Sequence, residues 1–103
     1  MIVELREYTL HIGQVPEYLR LYKEEGFAVQ APILGNLVGH YWTEVGPQNQ
    51  IVHLWGYESF EDRLERRARL QADERWQAFL AKIRPMIVSQ TTRILNPSPV
   101  MDL

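Results

Sequence analysis

The chain contains no cysteine. That absence removes a disulfide framework, a thiolate nucleophile and a cysteine-ligated structural zinc from consideration. It also lacks an excess of either charge. Eleven basic residues face 13 acidic ones, for a net charge of -2, so neither nucleic acid nor an anionic membrane surface is an expected partner. No apolar run approaches the roughly 20 residues that a membrane span requires. The opening Met1-Ile2-Val3-Glu4-Leu5-Arg6-Glu7 is broken by charge at short intervals and is not expected to act as a signal peptide. A cytoplasmic domain is the default reading. There is no glycine-rich phosphate loop, no repeat, no low-complexity tract and no nucleophile elbow around Ser59, Ser89 or Ser98. The three histidines show no short-range pairing, so no metal site is expected. No cofactor is called for, although His40 or His53 would be the residues to offer a haem an axial ligand.

What is present fits one domain over 1–103, with a core of about 2–95 and a tail of 96–103. Residues 2–11 alternate as a strand using both faces. Gly13 breaks it, and Pro16 suits the first turn of a helix that carries Tyr18, Leu19, Leu21 and Tyr22 inward. Gly26 reads as its stop, with a second helical piece over 27–34 ending by Gly35. A strand over 37–45 and the turn Gly46-Pro47-Gln48-Asn49 lead into a strand over 50–57. Ser59 is a helix N-cap, with Asp62 three residues on. Phe60, Leu64, Ala68 and Leu70 trace the expected buried stripe of that helix. Charges spaced by four, such as Asp62 with Arg66, make its solvated face. Asp73 caps a shorter helix with Trp76, Phe79, Leu80 and Ile83 inward; Pro85 ends it, and 86–95 form the last strand.

The order β-α-β-β-α-β is the split βαβ, ferredoxin-like arrangement: α+β, an antiparallel sheet with helices on one face. Every strand has apolar or aromatic residues on both faces. The face without helices is therefore expected to pack against a second copy, as a homodimer.

The third strand carries Ile51, His53, Trp55 and Tyr57 on one face and Val52, Leu54 and Gly56 on the other. A row of imidazole, indole and phenol suits a pocket for a small aromatic ligand. His53 is the candidate for proton transfer, since its unperturbed pKa lies near neutrality; the alternatives are a core histidine bonded to a neighbour, or a ligand contact. Arg6, in the middle of a central strand, needs its charge paired, by Glu4 or by an anionic ligand. Tyr8, His40, Trp42, Trp55, Tyr57 and Gln90 complete the candidate ligand-binding set, the aromatics among them serving either as substrate walls or as core and interface packing. Trp76 reads as packing, and Asn49 as stabilising its turn. Two functional classes follow. One is an enzyme in which His53 removes a proton while Arg6, Tyr8 or Gln90 steadies an oxyanion. The other is a non-catalytic dimeric module that binds a ligand or a protein.

The segments Glu4-Leu5-Arg6-Glu7-Tyr8-Thr9-Leu10, Gly39-His40-Tyr41-Trp42-Thr43-Glu44-Val45-Gly46-Pro47-Gln48-Asn49-Gln50 and Val52-His53-Leu54-Trp55-Gly56-Tyr57 resemble the NIPSNAP family. So do Arg63, Trp76-Gln77-Ala78-Phe79-Leu80 and Ile87-Val88-Ser89-Gln90. The resemblance runs in order from about residue 2 to 95. It implies a dimeric α+β barrel in which two ferredoxin-like sheets face each other. The wider superfamily includes cofactor-free oxygenases, small isomerases and lyases, and some haem-binding enzymes, so the resemblance implies a cofactor-free oxygenase or isomerase as the enzyme reading. The mitochondrial and vesicle-traffic biology of larger members is not carried over.

Overall fold

The computed structural model describes residues 1–101; positions 102–103 of the expected tail lie outside the described residues. Four strands, β1 (Ile2–Leu10), β2 (Asn36–Trp42), β3 (Gln50–Tyr57) and β4 (Ile87–Leu95), form one sheet in the order β2-β3-β1-β4. All neighbours are antiparallel. Helices α1 (Val15–Leu21), α2 (Phe27–Leu34), α3 (Phe60–Gln71) and α4 (Glu74–Ile83) supply the other layer. This is the ferredoxin-like arrangement that the strand and helix order predicts. Among the described residues no helix is long and apolar enough to cross a membrane.

The pleat decides which side chains meet the helices. On β1 the inward row is Ile2, Glu4, Arg6, Tyr8 and Leu10, and on β3 it is Ile51, His53, Trp55 and Tyr57. Register then sets Glu4 opposite Trp55 and Arg6 opposite His53. On the far side of β1, Tyr8 pairs with Gln90 and Arg6 with Thr92. His40 of β2 lies opposite His53.

Three expectations need correction. Gly26 does not end a helix. A π-helical segment, Tyr22–Gly26, joins α1 to α2 in one helical run from residue 15 to residue 34. A Cβ on Gly26 would lie 2.8 Å from both the Phe79 and Tyr22 rings, so glycine is there for close approach to α4, and Gly35 with φ 93° makes the stop. The buried stripe of α3 is also different. Phe60 and Leu64 are 55% and 63% exposed, and Ala68 is exposed too. Arg63, Arg67 and Leu70 turn inward instead, because a buried carboxylate on β1 has to be matched there. Finally, β2 runs from Asn36 to Trp42 instead of extending to residue 45.

The caps are as the sequence predicts. The Ser59 hydroxyl accepts from the Asp62 backbone N–H at 3.1 Å, and Asp73 accepts from the N–H groups of Arg75 and Trp76. Asn49 ties two loops together, its side-chain oxygen accepting from Gly13 N–H at 3.3 Å.

Candidate functional site

The aromatic row of β3 lies in the core. Trp55 is fully buried and His53 nearly so. Trp55 Nε1–H donates to His53 Nδ1 at 2.8 Å. Indole can only donate, so Nδ1 must carry the lone pair and the neutral ring holds its proton on Nε2. That Nε2 is buried without a hydrogen-bond partner, and so is His40 Nε2; the two rings are 5.5 Å apart. Burial, then His40, Arg6 and Arg67, push the His53 pKa down to about 3. Burial lowers the His40 pKa as well, with Tyr22 stacked on its ring at 4.7 Å. At neutral pH His53 therefore offers an N–H donor and has no free lone pair with which to take a proton.

The ionic centre between the sheet and the helices is Glu4, which is 0% exposed. Its Oε2 accepts from Arg63 Nε at 2.8 Å and Nη2 at 2.5 Å. Arg6 Nη1 stands 3.6 Å from Oε2, and Arg67 Nη1 3.8 Å from Oε1. Three guanidiniums thus surround one carboxylate, and Oε1 accepts no hydrogen bond among the described residues. Tyr57 borders this group: burial, with Glu4 adding to it, raises its pKa to about 12, and its hydroxyl is buried without a partner. Arg6 is anchored further by Nε donating to Tyr8 Oη at 3.2 Å and Nη1 to Thr92 Oγ1 at 3.4 Å. Burial works against its charge, but Tyr8 and Glu4 outweigh that and raise its pKa.

Beside this centre a cleft of about 150 Å³ opens between β1, β4, α3 and α4. Arg6, Tyr8 and Gln90 from the sheet form one wall. Leu70, Trp76, Leu80 and Ile83 from the helices form the other. Arg67, Gln71 and Arg84 stand with Gln30 and Ile87 around the remaining sides.

Of the candidate residues, the structure brings Arg6, Tyr8 and Gln90 together in this cleft. His53 packs directly behind it, with its ring edge-on to Tyr8 at 5.1 Å, and Trp55 is a further layer in. His40 sits between Tyr22 and His53. Trp42 borders a separate groove with Val15, Leu19 and Gln48, and Tyr57 a polar depression with Asn36, Asp62 and Arg66. The eight positions thus share one sheet face but not one cavity. Among the described residues, no group of three or more His, Asp or Glu side chains is placed to hold a metal.

The sequence does not single out Arg67, Arg84 or Gln30, and Trp76, buried as expected of packing, also borders the cleft. Arg63, Arg67 and Leu70 recur at helical spacing of four and three, which is one face of a helix. That signal was present in the sequence, but a stripe of arginine does not register as an inward face.

The sequence model of the NIPSNAP family matches residues 3–101. A Dictyostelium discoideum protein, Protein NipSnap homolog, is 34% identical over 94 residues, covering 91% of this chain and 41% of that protein. The chain thus spans less than half the length of that curated relative. A crystal structure of a NIPSNAP family protein from Agrobacterium tumefaciens is 51% identical, with TM-score 0.93, covering 95% of this chain and 93% of that one. The crystal structure of an antibiotic biosynthesis monooxygenase superimposes with TM-score 0.66 over 96% of this chain and 100% of its own, at 11% identity, which is a likeness of fold alone.

Proposed function

The chain belongs to the NIPSNAP family, and from that premise we propose that it is a homodimeric, cytoplasmic domain whose cleft between the sheet and helices α3 and α4 binds a small aromatic molecule. The observation that carries the reading is the division of the cleft. Leu70, Leu80, Ile83 and the Trp76 ring make an apolar patch on its helix side, with Arg67 and Gln71 at that patch's edge, while its sheet side presents the Arg6 guanidinium, the Tyr8 hydroxyl and the Gln90 amide. An apolar body and an oxygen-bearing end would each find a matching surface.

In the enzymatic form of this reading the reaction is a cofactor-free oxygenation or isomerisation. Arg6 and Tyr8 stabilise the oxyanion or enolate of the bound compound, and the compound's own acidity is raised by that charge. His53 serves as a positioning residue, supporting Tyr8 from behind. A second reading, binding without catalysis, is favoured by one observation: the ionisable groups lining the cleft are arginines and a tyrosine, none of which ordinarily changes charge near neutral pH, and His53 is held neutral.

Dimerisation is supported by the sheet face without helices, where Val38 and Tyr41 are exposed beside Val3, Val52 and Leu54. Such a face is seldom left to solvent. Light scattering at micromolar concentration is expected to return twice the chain mass, and a monomer mass would refute the dimer. Ligand binding is tested by thermal unfolding against a set of small aromatic compounds of varied charge, followed by oxygen uptake and product chromatography for those that bind. A compound at about 100 times its Kd adds about 2.7 kcal/mol, which is a shift of several degrees in a domain of this size. A set in which no compound raises the midpoint would refute the binding site.

A further inference from the structure

Resting on the reading of this cleft as the ligand site, we propose that its ligand is a small organic acid: an aromatic or other apolar body bearing one carboxylate, held with the carboxylate against Arg6, Arg67 and the Gln30 amide. The argument begins with charge. Glu4 is matched one-to-one by Arg63, whose two nitrogens bond its Oε2 at 2.8 and 2.5 Å. Arg6 and Arg67 approach the same carboxylate only to 3.6 and 3.8 Å. Their charge is left in excess in a partly desolvated place, where an unpaired ion is costly. A second anion would satisfy it.

The hydrogen-bond inventory points the same way. Arg67 and Arg84 make no side-chain hydrogen bond among the described residues, although both line the cleft. Gln30 is 3% exposed. Its carbonyl oxygen accepts from the Tyr22 hydroxyl at 2.5 Å, which leaves the amide NH2 as the unengaged end in a residue whose opening is the cleft. Tyr22 opens the π-helical segment, and its hydroxyl reaches Gln30 eight residues further on. No aspartate or glutamate lines the cleft. The charged groups there are all guanidiniums, and guanidiniums without a carboxylate of their own call for an acceptor-only group, which an ionised carboxylate is.

The rest of the cleft excludes a bare inorganic anion as the intended guest. Leu70, Leu80, Ile83 and the carbon face of Trp76 give one wall a largely apolar surface that an inorganic anion cannot use, whereas an apolar ring would bury it. Size narrows the class. A volume of about 150 Å³ is below the roughly 300–1,000 Å³ of drug-sized sites, and suits a molecule on the scale of benzoate.

The test uses sodium benzoate, benzamide and inorganic phosphate at constant ionic strength, titrated calorimetrically into wild type, Arg67→Gln and Arg84→Gln. Both variants are first checked for an unchanged fold by circular dichroism, and Arg84, being solvent-exposed, provides the safer substitution. Benzoate is expected to bind at least about tenfold more tightly than benzamide or phosphate, and Arg67→Gln to weaken benzoate about tenfold while leaving benzamide unchanged, as expected for loss of one charge-assisted hydrogen bond. Benzamide binding as tightly as benzoate, or benzoate affinity unmoved by Arg67→Gln, would overturn the carboxylate assignment while leaving a small-molecule site standing. Phosphate equalling benzoate would overturn the organic half of the assignment. If none of the three binds, and neutral aromatics also fail to shift unfolding, the cleft itself is not the site and both readings go.

Discussion

Lowering the pH from about 7 to about 5 should destabilise this protein through a histidine that never meets solvent. In the folded chain the His53 pKa is pushed down to about 3 from the ordinary 6.5. Between those two values the unfolded chain binds one more proton than the folded one, so stability falls as pH falls. The stability tied to neutral His53 is fully present above about pH 6.5 and is lost progressively toward pH 3. The slope approaches 1.4 kcal/mol per pH unit, which integrates to about 2 kcal/mol between pH 7 and pH 5. His40, also lowered by burial, adds in the same direction. The depressed carboxylates add little in this window, because Asp62, Asp73 and Glu17 start from ordinary values of 3.8, 3.8 and 4.5 and act mainly at lower pH. Urea unfolding at several pH values and constant ionic strength measures the slope, and an imidazole NMR titration identifies the group. His53→Gln should flatten the pH dependence. A flat wild-type profile across this range, or a His53 ring that titrates near 6.5, would refute the buried neutral tautomer held by Trp55.

Glu4→Ala should cost about 3 kcal/mol in chemical denaturation, because it strands Arg63 beside Arg6 and Arg67 with no carboxylate among them; a loss under about 1 kcal/mol would mean that the guanidiniums relax freely into solvent. Gly26→Ala should cost about 1–3 kcal/mol, since the new methyl would meet the Phe79 and Tyr22 rings at 2.8 Å. An unchanged or raised unfolding midpoint would contradict the close approach of the first helical run to α4. Tyr22→Phe should lower stability by about 1–3 kcal/mol by leaving the buried Gln30 oxygen without its donor; equal stability of the two proteins would show that this hydrogen bond is not formed.

The architecture was legible in the sequence because each strand and helix carries its own local signal. Period-two alternation marks β1 and β3, Ser59 and Asp73 mark the starts of α3 and α4, and the sheet order follows once β-α-β-β-α-β is read. The shared inward face of Arg6, Tyr8, His53 and Trp55 was legible for the same reason. Depth along that face was not. Strand periodicity says which side a residue takes, but not whether a helix closes over it. Trp55 and His53 are closed off from solvent, while Arg6 and Gln90 border the cleft. Gly26 misled for a related reason: glycine as a helix stop and glycine as a contact point between helices look alike until the partner, Phe79, is in place.

The inverted polarity of α3 joins the stability of the fold to its site. A helix packed for stability alone would turn Phe60 and Leu64 to the sheet and leave Arg63 and Arg67 outside, as its apolar pattern suggests. The chain does the reverse, exposing both apolar side chains and setting guanidiniums against Glu4. Apolar replacements of buried ion clusters are often neutral or stabilising by about 1–4 kcal/mol, so packing does not account for the choice. The fork of Arg63 on Glu4 is complete without Arg67, and the Arg84 guanidinium and the Gln30 NH2 make no hydrogen bond within the fold among the described residues. These surplus donors converge on the one cleft that Arg6, Tyr8 and Gln90 also line. A cost in stability concentrated around a cavity, with donors that the fold does not use, supports the proposed ligand site over a purely structural core.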